Sequence, residues 1–442
     1  MDFKDRKNEQ KEIKVILDSN KFEFLIIYGR RRVGKTELIL ETTKHKKRLY
    51  YLATTEKNAE RFHNTCVEYN SNANNIKQDF EALIDYFKDK ADVIIIDEFQ
   101  NLIKENPSII SIFQSLVDTK LNKTKLKLIL LGSSISIITS KVLSYQSPLY
   151  GRRTASFKLK PINFFDMKEF FPGKSLQELI EIYGFSDGIP YYIIKINDRE
   201  NFWKWLEEQL KGEIRFLRDE IDFITRYEFE NPSTYKVILE AIANGKNKLN
   251  EIKQYTKFKR TDLSPYLKNL LEVDMIKREI PLTKNLKSRN GRYFIKDNFL
   301  SFWFKFIYSN LSSIETGSFK INRIKDNYSE YLGRIFENIV FQYIVRNDLI
   351  DADKMGRWWF KDKEIDLIAL NDKHKEATFI ECKWKDNVNP SEIFKSLKEK
   401  ARHFEWNNGK RKEKYIIFAK SFSKKIEEEN LKLIDLREMQ GS

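Results

Sequence analysis

The run Gly29-Arg30-Arg31-Arg32-Val33-Gly34-Lys35-Thr36 has the types and spacing to handle phosphate. In the G-x-x-x-x-G-K-[ST] pattern, glycines let a loop curl so that backbone N–H groups face phosphate oxygens. Lys35 then belongs on the β- and γ-phosphates of a nucleotide, and the Thr36 hydroxyl on Mg²⁺. Glu37 opens the helical pattern that follows, whose positive N-terminal end adds to the cradle. A second run, Val93-Ile-Ile-Ile-Asp97-Glu98, ends four apolar residues in two carboxylates. Asp97 suits a Mg²⁺ ion held through its water shell, and Glu98 suits a general base for an attacking water. Ser133 or Ser134, after the apolar run Lys127–Leu131, can serve as a sensor of the γ-phosphate or as a helix N-cap. Arg152 and Arg153, in the turn Ser147–Thr154, offer either an arginine finger for transition-state charge or a surface contact.

A different chemistry is written near the C-terminus. Glu337 falls on a helical pattern, Asp366 at the start of a strand, and Glu381 and Lys383 on one face of the next strand. Three carboxylates brought together make an all-oxygen pocket for Mg²⁺ or Mn²⁺, and a lysine beside it steadies charge developing on a phosphate. That combination suits metal-assisted phosphodiester hydrolysis. The same four residues also suit a salt-bridge cluster, or a fold that binds without cutting.

The elements that must position these side chains follow from periodicity. Phe24–Ile27, Arg48–Leu52, Val93–Asp97 and Lys127–Leu131 read as buried parallel strands separated by helical patterns at about 56–70 and 76–89. Gly188-Ile189-Pro190 stands inside a helical lid at about 175–211 and can bring backbone near the nucleotide. Residues 231–283 read as three short helices followed by a hairpin (275–281 with 291–295), the pattern of a winged helix. Lys257, Lys259, Arg260 and Lys268 would then suit phosphate contacts, and the basic stretch 284–292 a mobile wing tip. The alternative for this module is domain packing. Phe299–Ser309 is aromatic-rich and reads as a core helix.

Taken together, Phe3-x-Asp5-Arg6, GRRRVGKT, IIIDEF, LLGSS, SPLYGRRT and DGIPYY resemble an archaeal ATPase family within the AAA+ and STAND group, over about residues 1–212. The resemblance implies ATP as the nucleotide; the spacing alone does not separate ATP from GTP. The order Glu337, Asp366, Glu381-x-Lys383 resembles the PD-(D/E)xK restriction-endonuclease-like fold over about residues 325–437, although Ile365 stands where the family usually has proline. The expected architecture is α/β: a P-loop parallel-sheet ATPase core (1–160), a helical lid (161–228), a winged helix (229–296), a helical connector (297–326) and a nuclease-like domain (327–442).

Composition sets the partners. The 442 residues carry a net charge of +15, which favours a polyanion, DNA first, or else reflects a generally lysine-rich surface. Two cysteines make no disulfide framework and fit a reducing cytoplasm. No apolar run approaches the roughly 18–20 residues that span a bilayer, and no signal peptide is evident. The sequence therefore reads as a cytoplasmic ATP- and Mg²⁺-dependent hydrolase, capable of homo-oligomerisation, that couples ATP turnover to a nucleic-acid-directed nuclease. A signalling switch or DNA-binding regulator with an inactive C-terminal domain is the competing reading.

Overall fold

The computed structural model of the chain describes residues 3–211, 216–258, 262–285, 288 and 290–440. They form two compact units.

The first unit comprises residues 1–162, 189–194 and 272–274. Its sheet contains β1 (Glu23–Tyr28), β2 (Arg48–Leu52), β3 (Val93–Asp97), β4 (Lys127–Gly132) and β5 (Ala155–Lys158), in the order β2-β3-β4-β1-β5. Every pairing is parallel. The strand C-termini therefore share one edge, with Tyr28 beside Gly132 and Lys158, and Leu52 beside Asp97. Alternation sends Phe24, Ile26, Ile94, Ile96, Leu128 and Leu130 into one apolar layer, with Phe62, Phe80 and Phe113 from the covering helices. Leu25, Ile27, Val93, Ile95, Ile129 and Leu131 enter the opposite layer with Ile13, Leu17, Leu38 and Ile39. Covering on both faces is why these strands read as continuous apolar runs. Strand β5 is half-exposed and gave no such run, so it is not apparent from periodicity.

The second unit holds helices, a hairpin and a second sheet. Phe185, Phe202, Trp205, Phe302, Phe306, Tyr328 and Tyr331 stack in edge and tilted pairs at its centre. The expected core helix is there: Phe299, Leu300, Phe302, Trp303 and Phe304 are all buried. Helices Pro232–Ala243, Leu249–Thr256 and Ser264–Glu272 precede an antiparallel hairpin of β6 (Ile276–Glu279) and β7 (Arg292–Ile295). Lys259 and Arg260 lie outside the described residues; Lys257 and Lys268 are exposed. Of the basic stretch 284–292, residues 286, 287 and 289 also lie outside them. Its flanks do not hang free. Leu282 N–H donates to the Arg357 carbonyl at 2.9 Å, and Trp359 Nε1 to the Asn290 carbonyl at 3.1 Å.

The second sheet contains β8 (Lys354–Phe360), β9 (Lys363–Asn371), β10 (Glu376–Lys383), β11 (Lys412–Ala419) and β12 (Leu431–Asp435), ordered β12-β11-β10-β9-β8. β8, β9 and β10 are antiparallel neighbours, whereas β10, β11 and β12 run parallel. Helix Pro390–Ala401 covers one face, its Phe394 and Leu397 packing with Phe379, Tyr415 and Ile417. Helix Asn322–Arg346 covers the other, with Phe336 against Trp384 and Tyr343 against Phe418.

Candidate nucleotide site and a second carboxylate cluster

The loop after β1 and the ends of β3 and β4 meet at the C-terminal edge of the first sheet. Gly29 must be glycine, because a Cβ there would collide with the Leu159 carbonyl. Gly34 sits at φ 89°, in the left-handed region that glycine enters without strain. Lys35 is buried, and its Nζ donates to the carbonyls of Gly29 (2.9 Å) and Arg30 (3.0 Å). Burial pushes its pKa down to about 8, against the opposing pull of Glu98 and Asp97. Arg6, singled out in the N-terminal motif, reaches behind the loop to the carbonyls of Val33 (3.2 Å) and Lys160 (2.7 Å).

Asp97 is buried, and its Oδ2 accepts from Thr36 Oγ1 at 2.6 Å. Burial raises its carboxyl pKa above the ordinary value, with nearby Glu98 adding to the rise. Glu98 takes a left-handed φ of 53°, and its carboxylate accepts from Ser133 Oγ at 2.5 Å and from Gln100. Ser133 therefore stands at the base, as one of the two serine readings required. Ser134 precedes the next helical turn without a side-chain cap bond. Pro190 and Tyr191 border the loop: Arg32 lies 3.8 Å over the Tyr191 ring. The oxygen donors of Thr36 and Asp97 beside a buried ammonium suit Mg²⁺ and a nucleotide phosphate chain. Arg30, Arg31, Val33 and Glu37 complete the same loop and helix start.

Two side chains here carry no motif. Tyr50 on β2 donates to the same Asp97 Oδ2 at 3.0 Å, and Gln100 bridges Glu98 and Ser133. Register alone points to Tyr50, since β2 pairs with β3 two residues short of Asp97.

The arginine-finger reading of Arg152 and Arg153 is corrected. Thr154 N–H donates to the Phe24 carbonyl, which places both arginines at the N-terminal end of β1, about 15 Å along the strand from the loop. Arg152 is gripped by Asp118 (2.8–3.0 Å), and Arg153 donates to the Tyr150 carbonyl and lies over that ring.

In the second unit, Glu381 and Lys383 share a face as expected, with Lys383 Nζ 2.7 Å from Glu381 Oε1. Asp366 lies beside them: its Oδ2 accepts from the Cys382 N–H at 2.8 Å. Burial and the neighbouring Glu337 and Glu381 hold its carboxyl well above the usual range. The three-carboxylate metal pocket, however, is not formed, and among the described residues no group of three such ligands is set to hold a metal. The reason is the pleat. Glu381 follows Phe379 onto the face covered by helix Pro390–Ala401, where Lys400 also binds it. Glu337 rides on the helix covering the other face and is ion-paired with Arg357. Arg357, opposite Asp366 where the β8–β9 register shifts, also approaches Glu279 of β6 at 3.4 Å. Arg334 reaches Glu279 at 2.9 Å, and Arg292 of β7 reaches Glu364 at 2.8 Å. A divalent metal therefore does not fit this arrangement, in which protein cations already hold Glu337 and Glu381.

The parallel sheet with its phosphate loop defines the P-loop ATPase fold, and the comparisons agree. Residues 3–196 match an ATPase domain predominantly from Archaea, and residues 303–401 match a family described as archaeal and bacterial proteins of unknown function. The chain belongs to this archaeal ATPase family: it is 49% identical over 407 residues to the uncharacterized protein MJECL04 of Methanocaldococcus jannaschii, covering 90% of this chain and 92% of that one. Among solved structures, the Walker-type ATPase PABY2304 of Pyrococcus abyssi shares the fold, with a TM-score of 0.51 and 21% identity over 69% of this chain and 96% of that chain.

Proposed function

We propose that the chain hydrolyses ATP with Mg²⁺ and uses that turnover to govern a nucleic-acid-directed C-terminal domain. The observation that carries the ATPase reading is the alignment of Lys35, the Thr36–Asp97 pair and the Ser133–Glu98 contact along one sheet edge. Lys35 leaves the loop carbonyls to meet the β- and γ-phosphates. Thr36 and Asp97 hold the metal, which neutralises phosphate charge when bound. Glu98 takes the proton of the attacking water once Ser133 turns toward the γ-phosphate. Tyr50 fixes the Asp97 carboxylate from the flank. ATP hydrolysis by the purified chain, lost in Lys35→Ala and in Glu98→Gln with nucleotide binding kept only in the latter, tests this assignment. Unchanged turnover in Glu98→Gln would remove Glu98 as the base.

For the C-terminal domain we carry forward binding of nucleic acid. The net charge of +15 supports it, as does the expected restriction-endonuclease-like order of strands and motif residues. Cleavage through Glu337, Asp366, Glu381 and Lys383 needs carboxylates that Arg357, Lys383 and Lys400 now hold. The three helices and hairpin of residues 232–295 fit a winged helix used for packing, because the hairpin's ends are bonded to β8 and β9. Incubation of DNA and RNA with Mg²⁺ or Mn²⁺, with and without ATP, decides the matter. Cleavage abolished by Asp366→Ala would restore the nuclease reading.

A further inference from the structure

Lys400 belongs to no motif, yet it is bound to the E-x-K pair. Its Nζ donates to both carboxylate oxygens of Glu381, at 2.9 and 3.1 Å, while Lys383 donates to Oε1 at 2.7 Å. Glu381 is buried, whereas the two lysine side chains remain 24% and 31% exposed. One carboxylate balances one ammonium. The second ammonium leaves a positive charge at the solvent-reachable end of β10, and two ammonium groups on one oxygen repel each other unless a further anion faces them. Neighbouring lysines do not share this surplus: Lys363 is paired with Glu399, and Lys420 with Asp386. The cluster therefore has the charge of an anion seat, the reverse of what a metal pocket needs.

We propose that Lys383 and Lys400 form a two-point clamp for one phosphodiester group of a nucleic-acid strand. Glu381 holds both ammonium groups in place from behind, and each donates to a free oxygen of the phosphate. Lysine is a compact point charge on a flexible stem, suited to a backbone phosphate without regard to the base it carries. The clamp rests on the reading of this domain as nucleic-acid-directed, but it does not require cleavage.

The test is the affinity of the full-length chain for labelled single- and double-stranded oligonucleotides in EDTA, as a function of salt. Lys400→Gln and Lys383→Gln should each weaken binding about tenfold and reduce the salt slope by about 0.7 to 0.9. Lys400→Arg should restore most of the loss. Lys375→Gln, at the other end of β10, should bind as wild type. Thermal melting and ATP turnover check that Lys400→Gln is folded. Unchanged affinity and slope in a folded Lys400→Gln overturn the clamp, and so does an equal loss in Lys375→Gln. Inorganic phosphate serves as competitor: if it binds as tightly as a strand, the nucleic-acid assignment fails. Cleavage by wild type with no binding defect in Lys400→Gln would sink the clamp and keep the domain nucleic-acid-directed. A binding defect without cleavage would establish the clamp and end the nuclease reading.

Discussion

The two carboxylate sites are built from the same parts and balanced in opposite ways. Each sets a strand-borne aspartate near a glutamate and a lysine. At the end of β3, Asp97 and Glu98 are held by hydroxyl and amide groups, from Thr36, Tyr50, Ser133 and Gln100. Lys35 bonds only to carbonyls of its own loop. In the second sheet, Glu337 and Glu381 are met by formal cations, Arg357, Lys383 and Lys400. Neutral partners yield to an incoming cation or phosphate at modest cost, whereas removing a buried ion-pair partner leaves an uncompensated charge. The difference teaches that a matching motif does not by itself report a working metal site; what each carboxylate is paired with does.

The comparison can be broken most directly at Lys35. Lys35→Ala is expected to abolish ATP binding, read by a fluorescent nucleotide analogue; retained affinity would contradict the phosphate role of the loop. Next in size, Glu98→Gln should bind ATP normally and turn over about 10²–10³-fold more slowly, as for loss of a positioned proton acceptor, measured by phosphate release. In the second cluster, Arg357→Ala strands the buried Glu337 and should destabilise the C-terminal region by about 3–5 kcal/mol. Adding Glu337→Gln should recover much of that. Denaturant unfolding of the single and double variants checks it, and a harmless Arg357→Ala would mean that the pair is not the brace described here.

The pH dependence sharpens the contrast further. Lys35 titrates near 8 in the folded chain, against 10.5 as an ordinary lysine. Between those values the unfolded chain keeps a proton that the folded chain has released, so this residue's contribution to stability rises with pH there. Phosphate favours the charged form, so ATP binding should take up a proton above about pH 8 and weaken as pH climbs. Calorimetry in buffers of different ionisation enthalpy reads this uptake, and its persistence in Lys35→Met would assign it elsewhere. The smallest effect is expected at Tyr50→Phe, a several-fold rise in the Mg²⁺ concentration that half-saturates turnover, corresponding to one hydrogen bond of about 1 kcal/mol.

Much of the first unit was legible in the sequence, because both faces of its sheet are covered and so its inner strands are apolar throughout. Phe24–Ile27, Arg48–Leu52 and Val93–Asp97 fall inside or on the observed strands. Strands β5 and β12 escaped, since half-exposed edge strands such as Ala155–Lys158 lack that signature. Tyr50, Gln100 and Lys400 escaped for another reason. Their roles come from pairing register and helix placement, which no spacing within a motif encodes. Arg152 and Arg153 misled because a paired-arginine turn says nothing about which end of the sheet it occupies.

By itself, the sequence determined the phosphate loop, the acid strand that follows it and the order of the two chemistries. These depend on neighbours within a few residues, where backbone geometry and periodicity dictate what touches what. Only the tertiary structure decided how the carboxylates are partnered. Glu381 and Glu337 lie far apart in the chain, and the two-residue period of β10, with a helix on each side of the sheet, sent one to Lys383 and Lys400 and the other to Arg357.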